Sequence, residues 1–266
     1  MLDLPRSVRL ALWGTAVLAD CVTASDAVPA VTGHDEPHTA GGDDVLPLRG
    51  DHTVLADLFG QLHRRSASVR VVLPVPGDAL GLPGPRAVNE HALDAAEAAV
   101  TVPRSPGDPV WAMVPVVTGY GSELEPGVAV HWQVHRTAGL TATDFGGLSE
   151  AERALRLALV ECTETLAAMD VARWREDASE RIAMVRDGGL PRGAVPPGTP
   201  GRVVRVLGTA ARVRAIVALA AEDDGAAVSG WEAAGRARTL RHVDQVARRA
   251  MVAACDPVAA REASAR

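Results

Sequence analysis

Val128-Ala129-Val130-His131-Trp132-Gln133-Val134-His135 alternates side-chain character at every step. A period of two marks an extended strand, with Val128, Val130, Trp132 and Val134 on one face and Ala129, His131, Gln133 and His135 on the other. The stretch predicts a strand with one face buried and the other wet, the habit of an antiparallel or half-covered sheet. Similar β-branched runs stand upstream at Val69, Val71 and Leu73, from Ala98 to Val102 and from Val110 to Val117. Helical spacing fills the intervals, predicting helices at about 5–19, 25–31 and 51–65 and a short one around Ala87 to Ala96. The third is read as starting at Asp51, a cap placed ahead of Leu55, Leu58, Phe59 and Leu62.

Beyond Gly146-Gly147 the period changes. Leu155, Leu159, Cys162, Leu166 and Met169 recur by fours and threes, a single buried stripe behind a capping box of Ser149 and Glu152. A second helix carries Val171, Trp174, Ala178, Ile182 and Val185 and stops at Gly188-Gly189. The Pro- and Gly-rich loop Leu190 to Gly198 follows. Thr199 then caps a third helix with Pro200 at its first position, lined by Val203, Leu207, Ala210, Val213, Val217 and Ala220. A fourth helix starts from Ser229, with Glu232 completing a capping box, and buries Trp231, Leu240, Val243, Ala247, Ala250 and Ala254. The expected fold class is therefore α+β. Residues 1–147 form a small antiparallel or mixed sheet with covering helices, and residues 148–266 form a four-helix bundle.

Composition narrows the chemistry. All 27 basic residues are arginine, so a Walker-type phosphate loop and Schiff-base catalysis, both of which need lysine, are excluded. Aromatic content of 3% leaves too little surface for stacking single-stranded nucleic acid. Cys21, Cys162 and Cys255 stand singly, without metal-ligand spacing, which fits free thiols in a reducing cytoplasm. Arg6 and Arg9 precede an apolar run from Leu10 to Ala19. Asp3 and Asp20 favour an amphipathic first helix over a signal peptide, and the first 24 or so residues leave that choice open. No other run has the length of a membrane span.

Several groups of residues invite a functional reading. His34-Asp35-Glu36-Pro37-His38, with Asp43, Asp44, Asp51 and His52 behind it, is rich in metal ligands. Pro37 blocks the helix that would align the two histidines, so an acidic surface loop is expected and no metal site. Leu73 to Pro85 runs from strand through glycine-rich loop to helix, but its prolines remove amide donors and only Arg86, just past it, is placed for an anion. Gly119 to Gly127 joins two predicted strands and holds Tyr120, Ser122 and Glu123. With Arg86, His131 and His135 these residues make the candidate site for a small anionic ligand. On one strand His131 and His135 stand about 13 Å apart, too far to share a metal ion. No cofactor is expected.

The arginines of the last two predicted helices, among them Arg202, Arg205, Arg212, Arg214, Arg236, Arg238, Arg241, Arg248 and Arg249, offer a basic surface. Residues 1–148 hold 9 arginines against 17 acids, whereas residues 199–266 hold 11 against 7, so an internal acidic partner is expected ahead of nucleic acid. Three stretches, Val8 to Trp13, Leu73 to Pro85 and Pro197 to Ala221, resemble a family of uncharacterised proteins from high-GC actinobacteria. The resemblance implies a two-part layout and carries over no catalytic residue. The expected function is a cytoplasmic interaction or regulatory protein working through the helical surface, with a protein partner or a second copy of itself. The alternative is a small-ligand binder or enzyme with its pocket at the junction of the two parts.

Overall fold

The structure is a computed structural model, described at residues 2–42, 53–79, 81–140, 146–168, 185, 188–222 and 230–257. Two compact units divide it. One comprises Pro5–Asp144 with Arg192–Thr199, the other Met1–Leu4, Phe145–Pro191 and Pro200–Arg266.

In the first unit the order is α1 (Arg6–Leu18), α2 (Ala24–Thr32), β1 (His38–Gly41), β2 (Thr53–Val54), α3 (Leu55–His63), β3 (Ser66–Val72), α4 (Arg86–Ala95), β4 (Ala98–Pro103), β5 (Val110–Gly121) and β6 (Pro126–Thr137). The six strands form one mixed sheet in the order β2-β1-β6-β5-β4-β3. β1 runs parallel to β6, and every other neighbouring pair is antiparallel. The strand reading of 128–135 holds within β6, where Val130, Trp132 and Val134 are at most 1% exposed.

Helices cover both faces of the sheet around β4, which explains why that strand is apolar at every position but Thr101. α1 lies across β3. Thr15 Oγ1 donates to the Val69 carbonyl and accepts from the Val69 amide, at 3.1 and 3.0 Å. Gly14 permits this approach, since a Cβ there would stand 3.3 Å from Val69 Cγ2 and 3.4 Å from Phe59 Cε1. On the opposite face Val88 and Ala92 of α4 pack with Val72, Ala98, Val100, Ala112 and Val114. The polar face of β6 is consequently half-buried rather than wet. His135 pairs in register with Ala112 and therefore looks toward α4.

Three sequence expectations move. The third helix begins at Leu55 with Val54 as its cap residue, and Asp51 lies outside the described residues. His38, read as part of a surface loop, opens β1 and is buried. The loop read as 119–127 is shorter, because β5 continues to Gly121 and β6 starts at Pro126. β1 and β2 went unread because strands of four and two residues are too short to display a period.

In the second unit α5 (Leu148–Ala168), α6 (Gly201–Glu222) and α7 (Gly230–Ala254) pack pairwise. Leu155, Leu207, Val243, Ala247 and Met251 are among its buried residues. The second predicted helix, residues 171–185, falls almost wholly outside the described residues, as do Ser229 and the side chains of Trp231 and Glu232. The capping box of Ser149 and Glu152 does not form. Gly147 takes the cap position, accepting the Ala151 amide, while the Glu152 carboxylate receives Arg202 at 2.7 Å. Thr199 donates its hydroxyl to Pro196 O at 2.7 Å, and the helix begins after Pro200, at Gly201.

Candidate functional site

The arginines of the second unit are largely engaged within it. Arg214 meets Asp244 at 3.1 Å and Arg248 the same carboxylate at 2.8 Å, with the Arg248 side chain only 4% exposed. Arg236 is buried and donates to Ala220 O at 2.9 Å, satisfying a carbonyl in the last turn of α6. Arg212 donates to Gly188 O at 3.1 Å. These groups tie helices and loops together, while Arg205, Arg238, Arg241 and Arg249 stand exposed.

The residues proposed from sequence as a ligand site are distributed over the sheet unit. His131 Nδ1 and Thr39 Oγ1 share a hydrogen bond of 2.9 Å. Tyr120 donates its hydroxyl to Glu36 O. Both contacts hold the start of β1 against the β5–β6 hairpin. The His135 and His91 rings are tilted, with centroids 5.5 Å apart. Arg86, at the head of α4, pairs with Glu90 one turn on at 2.7 Å. Ser122 and Glu123 sit in the exposed hairpin turn, where Ser122 Oγ accepts the Glu125 amide at 3.2 Å. The Leu73–Pro85 connector is pinned to the sheet, since Thr137 donates to Gly84 O at 2.6 Å and Asn89 Oδ1 accepts the Gly84 amide at 2.7 Å.

Around His38, Arg6 and Arg9 reach Asp35 at 2.8 and 3.6 Å. Trp132 donates its indole N–H to His38 Nδ1 at 3.3 Å. Burial, reinforced by the Arg9 and Arg6 charges and opposed by Asp35, lowers the His38 pKa to about 4. His38 is thus neutral at pH 7 and carries its proton on Nε2. Among the described residues no group of three or more His, Cys, Asp or Glu is placed to hold a metal ion.

A cleft of about 630 Å³ opens elsewhere in the first unit, between the C-terminal end of α1, the N-terminal end of α2 and one face of α3, with Pro197 at its border. Val22, Ala24 and Ala56 supply its accessible apolar wall, with Val17 and Phe59 buried beneath. Asp20, Cys21, Asp26 and His63 also line it. His63 Nε2 lies 2.9 Å from Asp20 Oδ1, and the Cys21 thiol is free and exposed. Asp20 takes a left-handed backbone at φ 57°, which turns the chain sharply from α1 toward α2. Thr23 and Asp26 cap α2 reciprocally. The frame is braced from behind, where the Arg104 guanidinium donates to the carbonyls of Leu18, His63 and Ser66 at 3.1–3.2 Å. Sequence reading missed this cleft because its polar residues come from positions 20–26 and from 63, joined only by helix packing.

The fold defines a two-unit α+β protein, one unit a helix-covered mixed sheet and the other helical. The chain belongs to the Rv1486c-like family, matching that family's N-terminal domain over residues 7–145 and its C-terminal domain over 149–252. It is 31% identical over 246 residues to the uncharacterized protein Rv1486c of Mycobacterium tuberculosis, covering 81% of this chain and 82% of the relative. Uncharacterized protein MAV321 of Mycobacterium avium is 32% identical over 250 residues, covering 81% of this chain and 78% of its own. Uncharacterized protein ML1804 of Mycobacterium leprae is 29% identical over 168 residues, covering 59% and 56%. No solved structure matches the chain. Among the described residues no helix is long and apolar enough to cross a membrane.

Proposed function

We propose that the protein works by association, with the β5–β6 hairpin as the contact surface and a second copy of the chain as the partner. The outer edge of β5 carries this reading. β4 pairs with β5 at Ala112 and Met113, and from Val116 to Gly121 β5 has, among the described residues, only β6 beside it. Val116, Val117, Tyr120 and Leu124 on this arm are 39, 47, 53 and 93% exposed. Residues 109–122 contain no charged residue. An exposed, uncharged strand edge is a template for another strand, and charges that would defend it are missing. Two copies of such an edge meet without repulsion, so antiparallel pairing of β5 with β5 extends the sheet and covers the arm's apolar side chains.

Sedimentation equilibrium tests this directly. The chain at micromolar concentration is expected at twice its monomer mass and Val117→Lys at the monomer mass. A wild-type monomer at 100 µM, or a Val117→Lys dimer, overturns the proposal.

The anionic-ligand alternative keeps one supporting observation. Gln133 and His135 share the sheet face that meets α4, where His91 touches His135 and Arg86 opens the helix. Inorganic phosphate is expected under that reading to raise the melting temperature, and Arg86→Ala to remove the rise. The same proposal places the molecule in a reducing cytoplasm, in keeping with the free thiols of Cys21 and Cys255. It treats 1–147 and 148–266 as the two domains. A four-helix bundle in the second is supported by the mutual packing of α5, α6 and α7.

A further inference from the structure

The cleft between α1, α2 and α3 lies outside the hairpin and asks for a separate occupant. We propose that it binds a small organic cation, an amine on an apolar body. Its accessible apolar wall comes from Val22, Ala24 and Ala56, over the buried Val17 and Phe59, and its volume of about 630 Å³ is in the range of small-molecule sites. The carboxylates of Asp20 and Asp26 line it. Asp20 faces His63 at 2.9 Å, and the Asp26 carboxylate occupies the positive end of α2 by accepting the Thr23 hydroxyl at 2.6 Å and the Thr23 amide at 3.4 Å. Among the described residues no lysine or arginine lines the cleft. An anion therefore finds no unopposed donor charge there, whereas a cation meets the Asp20 side chain, which is 82% exposed.

Gly60 is an independent sign that the space is kept open. It stands inside α3, where glycine costs about 1 kcal/mol relative to alanine. Packing does not require it, because a Cβ at Gly60 meets nothing within 4 Å. Gly14, by contrast, sits where a Cβ would stand 3.3 Å from Val69 Cγ2 and 3.4 Å from Phe59 Cε1. Any larger side chain at position 60 projects into the cleft that Gly60 lines. The helix thus carries a residue of low helix propensity at a position that borders open space.

Cys21 provides the readout, since its thiol lines the cleft and is accessible. The rate of iodoacetamide alkylation at Cys21 is followed by peptide mass spectrometry, with 2-phenylethylammonium and, as its charge-reversed counterpart, phenylacetate. The amine at millimolar concentration is expected to slow alkylation at least fivefold, and the carboxylate to leave it unchanged. Gly60→Leu, which fills the space, and Asp20→Asn, which keeps a residue suited to φ 57° and removes the charge, are each expected to abolish the protection. Protection is scored as the ratio of rates with and without amine, so a variant's intrinsic thiol reactivity cancels. Thermal melting of both variants establishes that they remain folded. No protection by the amine, equal protection by the carboxylate, or full protection in folded Asp20→Asn overturns the proposal.

Discussion

Acidification from pH 7 to pH 4 is expected to cost the sheet unit about 3 kcal/mol through His38 alone. The native imidazole titrates at about 4 and the unfolded one at 6.5. Above pH 6.5 both states are neutral at this position and the residue exerts no pH-dependent effect. Between the two values the unfolded chain binds a proton that the folded chain refuses, so stability falls as pH falls, by about 1.4 kcal/mol per pH unit. Below about pH 4 both states are protonated and the slope from this residue ends. The physical source is the burial of His38 under Trp132 and beside Arg9 and Arg6, at 6% exposure. His38→Asn retains an acceptor for the Trp132 N–H and cannot titrate. Urea unfolding of both proteins at half-unit pH steps from 7.5 to 4, followed by tryptophan fluorescence, isolates the residue by difference, since all carboxylates are common to both. The free-energy curves are expected to run parallel above pH 6.5 and to converge by about 3 kcal/mol on the way to pH 4, the variant being relatively favoured in acid. Curves that stay parallel down to pH 4 refute the assignment.

Other substitutions test other parts of the packing. Glu97 is buried and accepts the Ser7 amide and hydroxyl at 2.7 and 2.8 Å, so Glu97→Leu is expected to lower the unfolding free energy by about 2–3 kcal/mol in urea melts. A loss below about 0.5 kcal/mol would show that water replaces the carboxylate freely. Gly60→Ala is expected to raise stability by about 0.5–1 kcal/mol, as its methyl enters open space and the helix gains propensity; a destabilised variant contradicts the open cleft. Arg248→Glu and Arg241→Glu are expected to separate sharply. The first puts a carboxylate against Asp244 at a buried position and costs more than about 3 kcal/mol, whereas the exposed Arg241 changes stability by under about 0.5 kcal/mol. Equal melting temperatures for the two variants argue against the internal role assigned to Arg248.

The single-turn clues explain what was legible. The helix read at about 25–31 emerges over 24–32, close to its predicted limits, and the structure adds the Thr23–Asp26 capping box that starts it. The two antiparallel arms β5 and β6 are twelve residues each, long enough for alternation to be read. β1 is different. It pairs in parallel with β6, a partner about ninety positions away, and four residues are too few to advertise that pairing. The same distance hides the brace that Arg104 forms and the meeting of Asp20 with His63. Arginine abundance misled in the opposite direction, because a charge count cannot tell an exposed guanidinium from one such as Arg236 that satisfies a helix carbonyl in the interior.

By itself the sequence determined the α+β class, the change of period after Gly147 and the lysine-free chemistry, since each is written in local periodicity or composition. Only the tertiary structure decided that the polar face of β6 is half-covered, that His38 is buried and neutral, and that a cleft opens beside Gly60. Those outcomes depend on which distant segments meet, and proximity across the fold sets burial, dielectric and pairing where neighbouring letters do not.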